Sequence, residues 1–323
     1  MDAETTPLGG IERCIISLSR ALTNSNLKVR VFSNVNNDIE FKQITWSPKD
    51  KLTNFKADIV IACNDPKLFD VYAKNSDHKN FKPYLWHHNP VSYWKTIRKS
   101  RLLPLIRWNP TTIFLGTYHQ NQYPFLLPAK NPTIIKHGIE DSILNYPTSD
   151  SMLPPPPHAA FISQSYRGLE EMVSLWKNSI SPQNPDAKLF VYSETQYKRN
   201  DLSNYGIYFE GRQPRENLIR SLSQIRLVLT PGHPDETFCL SALESQCLGI
   251  PVITFGIGAL KERVKDGYDG FIAKDNKDFT NKINDVLNNN DTWSHLSTNA
   301  ILHKKDSSWS KKSAQWIELF GKN

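Results

Sequence analysis

The sequence has no long apolar run and no cysteine pattern, and each absence excludes a class of protein. A membrane-spanning helix needs about 20 apolar residues in succession, and the 323 residues contain no such run. The first ten residues have neither a basic start nor an apolar core, so we expect no secretory leader. The four cysteines are scattered without a C-x-x-C spacing, which argues against a disulfide scaffold or a cysteine-rich zinc site. We therefore expect a cytoplasmic chain with reduced thiols.

The net charge is positive, and the length suits two domains. Lys and Arg number 39 against 32 Asp and Glu, which gives a net charge of +7. Such an excess suits an anionic partner, such as a phosphate, a nucleic acid or an acidic membrane surface. The net charge does not distinguish among these partners. The sequence has no nucleic-acid docking motif, so we expect no nucleic-acid partner. At about 150 residues per domain, the chain is long enough for two domains.

Short apolar runs alternate with amphipathic stretches along the whole chain. Candidate strands are residues 27–33, 57–63, 83–87, 111–116, 132–136, 159–163, 188–193, 205–211, 226–231 and 251–255. Candidate helices are residues 10–22, 168–180, 214–225, 241–248 and 309–320. Alternation of strands and helices predicts an α/β fold, with parallel sheets covered by helices on both faces.

A proline-rich stretch divides the chain. Four consecutive prolines at 154–157 can continue neither a helix nor a central strand and favour a stiff linker. With the boundary near 138–157, we predict Rossmann-like domains over 1–140 and 141–305, and a last helix in 306–323 that returns toward the first domain. Two such domains would face a cleft, with ligands beyond the carboxyl ends of the strands.

The most informative stretch for chemistry is residues 230–254. A strand ends at Thr230, a polar loop follows with Glu236, and a helix predicted to start near Ser241 carries Glu244 in its first turn. Backbone N–H groups at a helix start attract phosphates and carboxylates, and carboxylates accept hydrogen bonds from sugar hydroxyls. The alternative is that both acids are ordinary loop and capping residues.

The two acids and their surroundings resemble a known family. Glu236-x7-Glu244, followed by Leu-Gly-Ile-Pro-Val-Ile at 248–253, resembles the signature of retaining GT-B glycosyltransferases of the family 4 type, the glycosyl transferases group 1. Further segments resemble that family in the same order, over roughly residues 7–320. They are the glycine loop GGIE at 9–12, WHHNP at 86–90, HGIE at 137–140, FISQSYRGL at 161–169 and GYDGF at 267–271.

The resemblance implies transfer of a sugar, with retention of anomeric configuration, from a nucleotide diphosphate sugar. The donor would bind the C-terminal domain and the acceptor would lie on the N-terminal side. Positive charge must face the diphosphate leaving group. In this family an Arg and a Lys commonly supply it, but here Arg167 takes the Lys position and Ser163 or Gln164 the Arg position. Arg167 is thus expected to be the main cation at the diphosphate; alternatively, it is a surface residue that caps its helix.

The resemblance also assigns backbone contacts to glycines. Gly9 and Gly10 would let the backbone approach the diphosphate at the start of the first helix. Gly211 and Arg212, at the end of a candidate strand, would lie near the base.

The acids receive roles from the same resemblance. Glu236 would hold hydroxyls of the donor sugar near the reacting carbon, and Glu244 would accept hydrogen bonds from the ribose hydroxyls. Backbone amides beside the sugar would come from Phe238, Cys239 and Leu240.

A histidine is the candidate from the N-terminal domain. His88 aligns best with the histidine of the family and would donate a hydrogen bond to the donor sugar or the reacting centre. His87 remains an alternative, because neighbouring residues of a strand point to opposite faces. His119 and His233 are weaker candidates.

The resemblance also implies a mechanism. Double displacement needs a carboxylate on the far face of the sugar, about 5 Å from its partner acid, and the sequence nominates no such pair. The family resemblance implies front-face transfer, in which the leaving phosphate helps deprotonate the acceptor hydroxyl and the protein supplies positioning and charge stabilisation. We expect no metal and no cofactor, because neither zinc-type histidine spacing nor a D-x-D-like pair is present.

Residues 94–108 suggest a membrane contact. Lys95, Arg98 and Lys99 stand among apolar residues from Trp94 to Trp108, which suits an anionic lipid surface. Pro104 prevents one long amphipathic helix. The alternative is a solvated basic helix that packs by its apolar face. The first interpretation predicts peripheral association with the inner membrane face and a glycan or lipid-linked acceptor, in cell-envelope polysaccharide or lipopolysaccharide synthesis.

The chain departs from the family at its start. The fold opens with a central strand before the glycine loop, whereas residues 1–8 have no strand pattern. We expect either a truncated start or a rearranged first domain. A catalytically degenerate protein that binds nucleotide or glycan without transfer is therefore the second hypothesis. Inverting GT-B enzymes and sugar epimerases of the same fold are a further alternative.

Overall fold

The computed structural model describes residues 8–41, 43–75, 79–147, 153–194 and 202–322. The chain divides into two compact units, each treated separately below. Of the described residues, the N-terminal unit holds those within 10–138 and 309–322, and the C-terminal unit holds those within 8–9 and 139–308. Residues 1–7, and residues 148–152 in the predicted linker, lie outside the described part.

The N-terminal unit contains two separate sheets. A three-stranded sheet has the order β1-β3-β2, and a four-stranded parallel sheet has the order β4-β5-β6-β7. The strands are β1 (Arg30–Ser33), β2 (Ile39–Phe41), β3 (Ile44–Pro48), β4 (Ile59–Cys63), β5 (Lys82–Trp86), β6 (Thr111–Phe114) and β7 (Lys130–Ile134). The sequence analysis missed β2 and β3, which pair antiparallel, because β2 is only three residues long and mostly exposed.

Short to medium helices accompany these sheets within the described part of residues 10–138. They are α1 (Gly10–Thr23), α2 (Lys67–Tyr72), α3 (Tyr93–Arg98), α4 (Leu102–Trp108) and α5 (Thr117–Asn121). The basic stretch is two helices rather than one: the break lies at 99–101, where Ser100 has φ of 54°. Pro104 lies in the first turn of α4, where a missing N–H costs little.

The C-terminal unit is built on a six-stranded, all-parallel sheet with the order β10-β9-β8-β11-β12-β13. Its strands are β8 (His158–Phe161), β9 (Lys188–Val191), β10 (Ile207–Phe209), β11 (Leu227–Leu229), β12 (Val252–Thr254) and β13 (Gly270–Ile272). Each lies within a predicted strand except β8, which starts one residue early, and β13, which was not predicted.

Helices cover this sheet. They are α6 (Asp141–Leu144), α7 (Leu169–Leu175), α8 (Arg215–Leu222), α9 (Leu240–Cys247), α10 (Leu260–Arg263), α11 (Asn276–Asn288) and α12 (Asn290–Ala300). Residues Trp176–Ile180, predicted as the end of α7, form a π-helix instead. Its Trp176 is fully buried in a core that also contains Phe279 and Trp293.

The strand order reverses beside β8. From β8 the chain moves outward to β9 and β10, then returns to place β11 on the other side of β8. Ligands of doubly wound sheets bind beyond the carboxyl ends of the strands at such a point. The topology therefore directs attention to the loops that follow β8 and β11.

The last helix, α13 (Trp309–Lys322), belongs to the N-terminal unit. The Trp316 ring lies 5.4 Å from that of Trp86, and the Phe320 ring lies 5.1 Å from that of Tyr84. The Tyr84 hydroxyl donates to the carbonyl of Leu319 at 3.4 Å. Within the described ranges, no helix of either unit has the length and apolar character that a membrane span requires.

Candidate functional site

Two predicted residues meet at the strand-order reversal of the C-terminal unit. Arg167 lies in the loop between β8 and α7, and Glu236 lies in the loop between β11 and α9. Arg167 donates from Nη1 to Oε2 of Glu236. Gly168 makes the first loop possible, since it has φ of +96° and a Cβ there would approach Pro231 to 2.9 Å. Parallel pairing of β8 with β11 thus brings a cation and an acid together from residues 69 positions apart.

Arg167 is positioned by a second contact. Its Nε donates to the Tyr166 hydroxyl at 3.2 Å. Burial opposes the guanidinium charge, but the Glu236 carboxylate and the Tyr166 hydroxyl outweigh it and raise the pKa of Arg167. Nη2 has no hydrogen-bond partner among the described residues, so this edge of the guanidinium can still donate to a ligand.

Glu236 is held by its own loop. Its Oε1 accepts from the Cys239 amide at 3.0 Å, and its backbone carbonyl accepts from the Ala259 amide at 2.8 Å. Cys239 takes φ of 59° to make this turn, and burial raises the pKa of its thiol to about 12. Gly258 allows the loop to close, because a Cβ there would lie 2.5 Å from the His233 carbonyl oxygen and 2.9 Å from that of Glu236.

The second predicted acid, Glu244, is paired with an arginine that the sequence analysis missed. Arg215 Nη1 donates to Glu244 Oε2 at 3.0 Å, and Arg215 Nη2 lies 2.7 Å from Oε1. Arg215 Nε also donates to Glu140 Oε2 at 2.9 Å. One guanidinium therefore bridges two carboxylates, with side-chain exposures of 13% for Arg215 and 6% for Glu244. No spacing rule links Arg215, just after Pro214, to acids 75 and 29 positions away.

The helix that carries Glu244 starts near the predicted position. It begins at Leu240, one residue before Ser241, so Glu244 is its fifth residue and lies just beyond the first turn. The reason is the left-handed conformation of Cys239, which turns the chain into the helix one residue early.

The Cys239 amide already binds Glu236 within the loop. Phe238 is buried and stacks under the Arg263 guanidinium at 4.4 Å.

The predicted glycines lie at exposed or open positions. Gly10 is the first residue of α1 and directly follows Gly9, and both are exposed. Gly211 has φ of +66°, and a Cβ there would meet no atom within 4 Å. The neighbouring Arg212 lies 3.5 Å from Glu194 at the surface.

The histidine candidates of the N-terminal unit are buried and uncharged near neutral pH. His88 packs on the Trp86 and His137 rings, with centroids 4.1 and 5.2 Å away, and its backbone N–H donates to Asn64 Oδ1 at 2.7 Å. His87 packs instead against Phe114, so the two neighbours point to different sides, as the strand geometry requires. Burial lowers the pKa of each to about 3.

The weaker histidine candidates hold loops. His119 accepts from the Leu115 amide at Nδ1 and lies 3.2 Å from the Asn89 carbonyl at Nε2, which fixes the Nε2–H tautomer. His233 accepts from the Asp235 amide at 3.1 Å. In the part of the chain that the structure describes, no cluster of three or more His, Cys, Asp or Glu residues could hold a metal ion.

Comparison with known proteins finds similarity to glycosyltransferases. The family model described as glycosyl transferases group 1 matches residues 163–303, which contain Arg167, Glu236 and Glu244. An uncharacterized glycosyltransferase of Methanocaldococcus jannaschii is 30% identical over 128 residues, or 39% of this chain and 36% of that protein. A D-inositol 3-phosphate glycosyltransferase of Frankia alni is 25% identical over 76% of this chain and 51% of its own length. The chain thus matches between a third and a half of the length of these curated relatives.

Solved structures are similar over the whole chain. The Anabaena protein HepE, solved with UDP-glucose, gives a TM-score of 0.77 at 15% identity and covers 99% of this chain and 98% of its own. Sucrose-phosphate synthase from Thermosynechococcus elongatus gives a TM-score of 0.75 at 17% identity, with 97% and 93% covered. At these identities the likeness shows the fold. Residues 163–303 thus match the glycosyl transferases group 1, and the fold of the chain is that of the GT-B glycosyltransferases.

Proposed function

We propose that this protein is a retaining glycosyltransferase that moves a sugar from a nucleotide diphosphate sugar to a glycan or lipid-linked acceptor. The observation that carries the proposal is the contact of Arg167 with Glu236 at the strand-order reversal of a parallel sheet, where such folds bind ligands. The names of the relatives support it, since they are glycosyltransferases, and one structural neighbour was solved with UDP-glucose.

Arg167 is the cation proposed for the diphosphate. Two of its nitrogens are fixed by Glu236 and Tyr166, and Nη2 remains to donate to a phosphate oxygen. A guanidinium held in place by its own neighbours loses little freedom when it binds and keeps its charge throughout the reaction. We place Gly9 and Gly10 beside the same diphosphate, Gly211 near the base, and the amides of Phe238 and Leu240 beside the sugar.

The carboxylates are proposed to bind hydroxyls rather than to attack the sugar. Glu236 already accepts from Arg167 and the Cys239 amide, which lowers its nucleophilicity but leaves lone pairs for sugar hydroxyls. Glu244, paired with Arg215, would bind the ribose. We propose His88 as the contribution of the N-terminal unit, a neutral imidazole with one N–H to donate. This division of roles suits front-face transfer, in which the leaving phosphate receives the acceptor proton.

We propose that the reaction needs neither a metal nor a cofactor. Arg167 would neutralise the charge that develops on the diphosphate, which is the role that a divalent cation has in other phosphate-transfer sites. Addition of EDTA should therefore leave the transfer rate unchanged. A loss of activity that Mg²⁺ or Mn²⁺ restores would contradict this part of the proposal.

A surface of the N-terminal unit is proposed to contact an anionic membrane on the cytoplasmic side. On α3 and α4 the apolar side chains of Trp94, Leu103 and Ile106 are 78%, 72% and 55% exposed. Lys95 and Arg98 lie on the same helix as Trp94. Exposed aromatic and aliphatic groups next to cations match a negatively charged lipid surface in both polarity and charge. This contact would suit a lipid-linked acceptor of cell-envelope polysaccharide or lipopolysaccharide synthesis.

Nucleotide binding provides the first test. The thermal stability of the purified chain is measured with UDP, GDP, ADP and CMP, each up to 100 times its Kd, where binding stabilises by about 2.7 kcal/mol. One nucleoside diphosphate is expected to raise the melting temperature of the wild type and of the surface control Arg220→Ala. Arg167→Ala should lose roughly 10- to 100-fold in affinity, since a hydrogen bond to a charged group contributes about 1.5–3 kcal/mol.

Turnover then separates transfer from binding alone. The nucleotide sugar of the base that binds is incubated with the protein, and the anomer that is released or transferred is identified by NMR. Release with retained configuration supports the proposal, whereas inverted configuration overturns it. Glu236→Gln should keep nucleotide binding within a few-fold and lose turnover.

Binding without any turnover would support the second candidate, a protein that keeps the fold without transferase activity. The observation in its favour is that both site carboxylates are neutralised by arginines, Glu236 by Arg167 and Glu244 by Arg215. Both candidates keep the Arg167–Glu236 pair when a nucleotide binds, so turnover decides between them. Transfer or release of the sugar supports the transferase, and saturable nucleotide binding without either supports the degenerate protein.

A further inference from the structure

The N-terminal unit contains a cavity that none of the proposed donor contacts uses. It lies beyond the carboxyl ends of β4 and β5 and measures about 620 Å³, including the solvent at its mouth. Its polar lining includes Asn64, His87, Lys95, Lys99, Arg101 and Tyr123. The carboxyl ends of parallel strands are where α/β folds place ligands, so the position alone makes this cavity a candidate site.

A buried histidine of the wall lacks a partner. His87 is only 5% exposed, and its Nε2 has no hydrogen-bond partner among the described residues. Its ring lies 5.7 Å from that of Phe114 and 5.6 Å from that of Tyr123. An unpaired buried nitrogen is unfavourable, and a ligand that bonded to it from the cavity would remove this cost. Burial holds the pKa of His87 near 3, so the imidazole is neutral with one N–H at physiological pH.

All charged side chains that line the cavity are cationic. Lys95, Lys99 and Arg101 line the cavity, and no Asp or Glu does. Arg101 is compensated, because its Nε and Nη2 each lie 3.2 Å from carboxylate oxygens of Asp65. Lys95 and Lys99 form no salt bridge with any residue of the described ranges. They are four positions apart, so their side chains lie near each other at the helix end.

These features match a particular ligand chemistry. A phosphomonoester carries a charge of about −1.5 to −2 at pH 7 and three acceptor oxygens. Two uncompensated ammonium groups would balance that charge, and lysine binds phosphate as a point charge without a fixed geometry. We propose that this cavity binds a phosphate group of the acceptor, with Lys95 and Lys99 as cations and His87 Nε2 as the inner polar contact. The identification of the ligand as the acceptor rests on the proposed function, whereas phosphate binding by itself requires no transfer.

The test measures phosphate binding without any nucleotide sugar. Inorganic phosphate is titrated into the full chain by calorimetry, and the ¹⁵N resonance of His87 Nε2 is followed in parallel. Saturable binding is expected, together with a shift of that resonance. Lys99→Gln should weaken binding about tenfold, since a charged hydrogen bond contributes about 1.5–3 kcal/mol. The matched control is Lys74→Gln, which makes the same substitution at an exposed lysine of the same unit outside the lining.

A second arm distinguishes a free phosphate from a lipid headgroup. Vesicles of phosphatidylglycerol and phosphatidylcholine, and vesicles of phosphatidylcholine alone, are sedimented with the protein. Binding to the anionic vesicles that inorganic phosphate competes away, and that Lys99→Gln weakens, identifies a headgroup in the cavity. Phosphate binding without such competition identifies a soluble phosphorylated acceptor. Either result supports the site.

Three outcomes would overturn the site. They are the absence of phosphate binding by the wild type, an equal loss in Lys99→Gln and Lys74→Gln, and binding that leaves the His87 resonance unmoved. The resonance is read in the wild type, so the argument does not depend on whether a His87 variant folds. Failure of sugar transfer with intact phosphate binding would remove the proposed function and leave the site.

Discussion

Buried charged and titratable side chains distinguish this chain at the scale of single residues. In the C-terminal unit two guanidiniums neutralise three carboxylates, those of Glu236, Glu244 and Glu140. In the N-terminal unit buried imidazoles carry no charge near pH 7. Burial penalises an unpaired charge. The carboxylates are compensated by pairing with guanidiniums, whereas the buried imidazoles lose their protons. Each solution has a measurable effect on stability.

Removal of Arg215 is expected to destabilise the C-terminal unit. Arg215→Met leaves the nearly buried Glu244 without its cation, and loss of one partner of a buried pair costs about 3–5 kcal/mol. The second pair, with Glu140 at 24% side-chain exposure, adds little. The free energy of unfolding is measured in urea. Arg215→Met with Glu244→Gln should recover part of the loss, and a double variant no more stable than the single one would contradict the explanation.

Acid should destabilise the N-terminal unit through its histidines. The folded pKa is about 3 for His87 and His88 and about 4 for His119, lowered first of all by burial from an unfolded value of 6.5. Between these values the unfolded chain holds more protons, so stability is complete above pH 6.5 and falls as the pH decreases toward 3. At pH 5 each of these histidines is expected to lower the free energy of unfolding by about 2 kcal/mol relative to neutral pH.

Urea unfolding at several pH values between 7 and 5 measures this effect. His87→Phe removes one of the three groups and should reduce the slope of stability against pH by about one third. An unchanged slope in that variant would show that His87 does not contribute.

At the scale of elements, the loops after strands decide where the chemistry lies. Most strands and helices were predictable from apolar periodicity, because burying one face imposes the period of each element. The contact between Arg167 and Glu236 could not be predicted in this way. It depends on β11 pairing beside β8 rather than beside β10. Arg215 escaped prediction for the same reason, since its partners come from separate elements.

The loop that carries Glu236 depends on Gly258. A Cβ at this position would lie 2.5 Å from the His233 carbonyl oxygen, and φ is +70°. Gly258→Ala should therefore lower the free energy of unfolding and weaken nucleotide binding. Gly267 is the matched control, since its φ is +72° but a Cβ there would meet no atom within 4 Å. Both variants place a Cβ on a left-handed backbone. The difference between their losses of stability, about 1–3 kcal/mol, therefore measures the cost of the close approach at Gly258.

Equal losses of stability in Gly258→Ala and Gly267→Ala would show that backbone strain alone accounts for the effect. Equal nucleotide affinity in both would show that the loop position does not matter for the donor site.

At the scale of the whole molecule, the chain passes from one unit to the other and back. Residues 10–138 form most of the N-terminal unit. The last helix, α13, completes this unit after the chain has passed through the C-terminal unit. Ile139 and Ser308 form a parallel bridge in the C-terminal unit, and the backbone of Gly138 approaches Trp309 in the N-terminal unit. The two crossing segments therefore lie side by side.

The returning helix should be required for the stability of the N-terminal unit. Trp316 is fully buried and its ring lies 5.4 Å from that of Trp86, and Trp→Ala in a core costs about 3–5 kcal/mol. Calorimetry of Trp316→Ala should show one transition at lower temperature and the other unchanged. Trp94→Ala, at a site 78% exposed, should alter neither. A shift of both transitions would show that the units unfold together.

The sequence by itself determined the element types, the parallel α/β class and the family resemblance, because these depend on local periodicity and on residues close together in the chain. It also nominated Arg167, Glu236 and Glu244. Only the tertiary structure decided which groups touch: Arg167 with Glu236, Arg215 with two acids, and His87 with a cavity. The division of the N-terminal strands into two sheets was equally hidden. Pairing between distant strands places these groups, and no local pattern in the chain encodes that order.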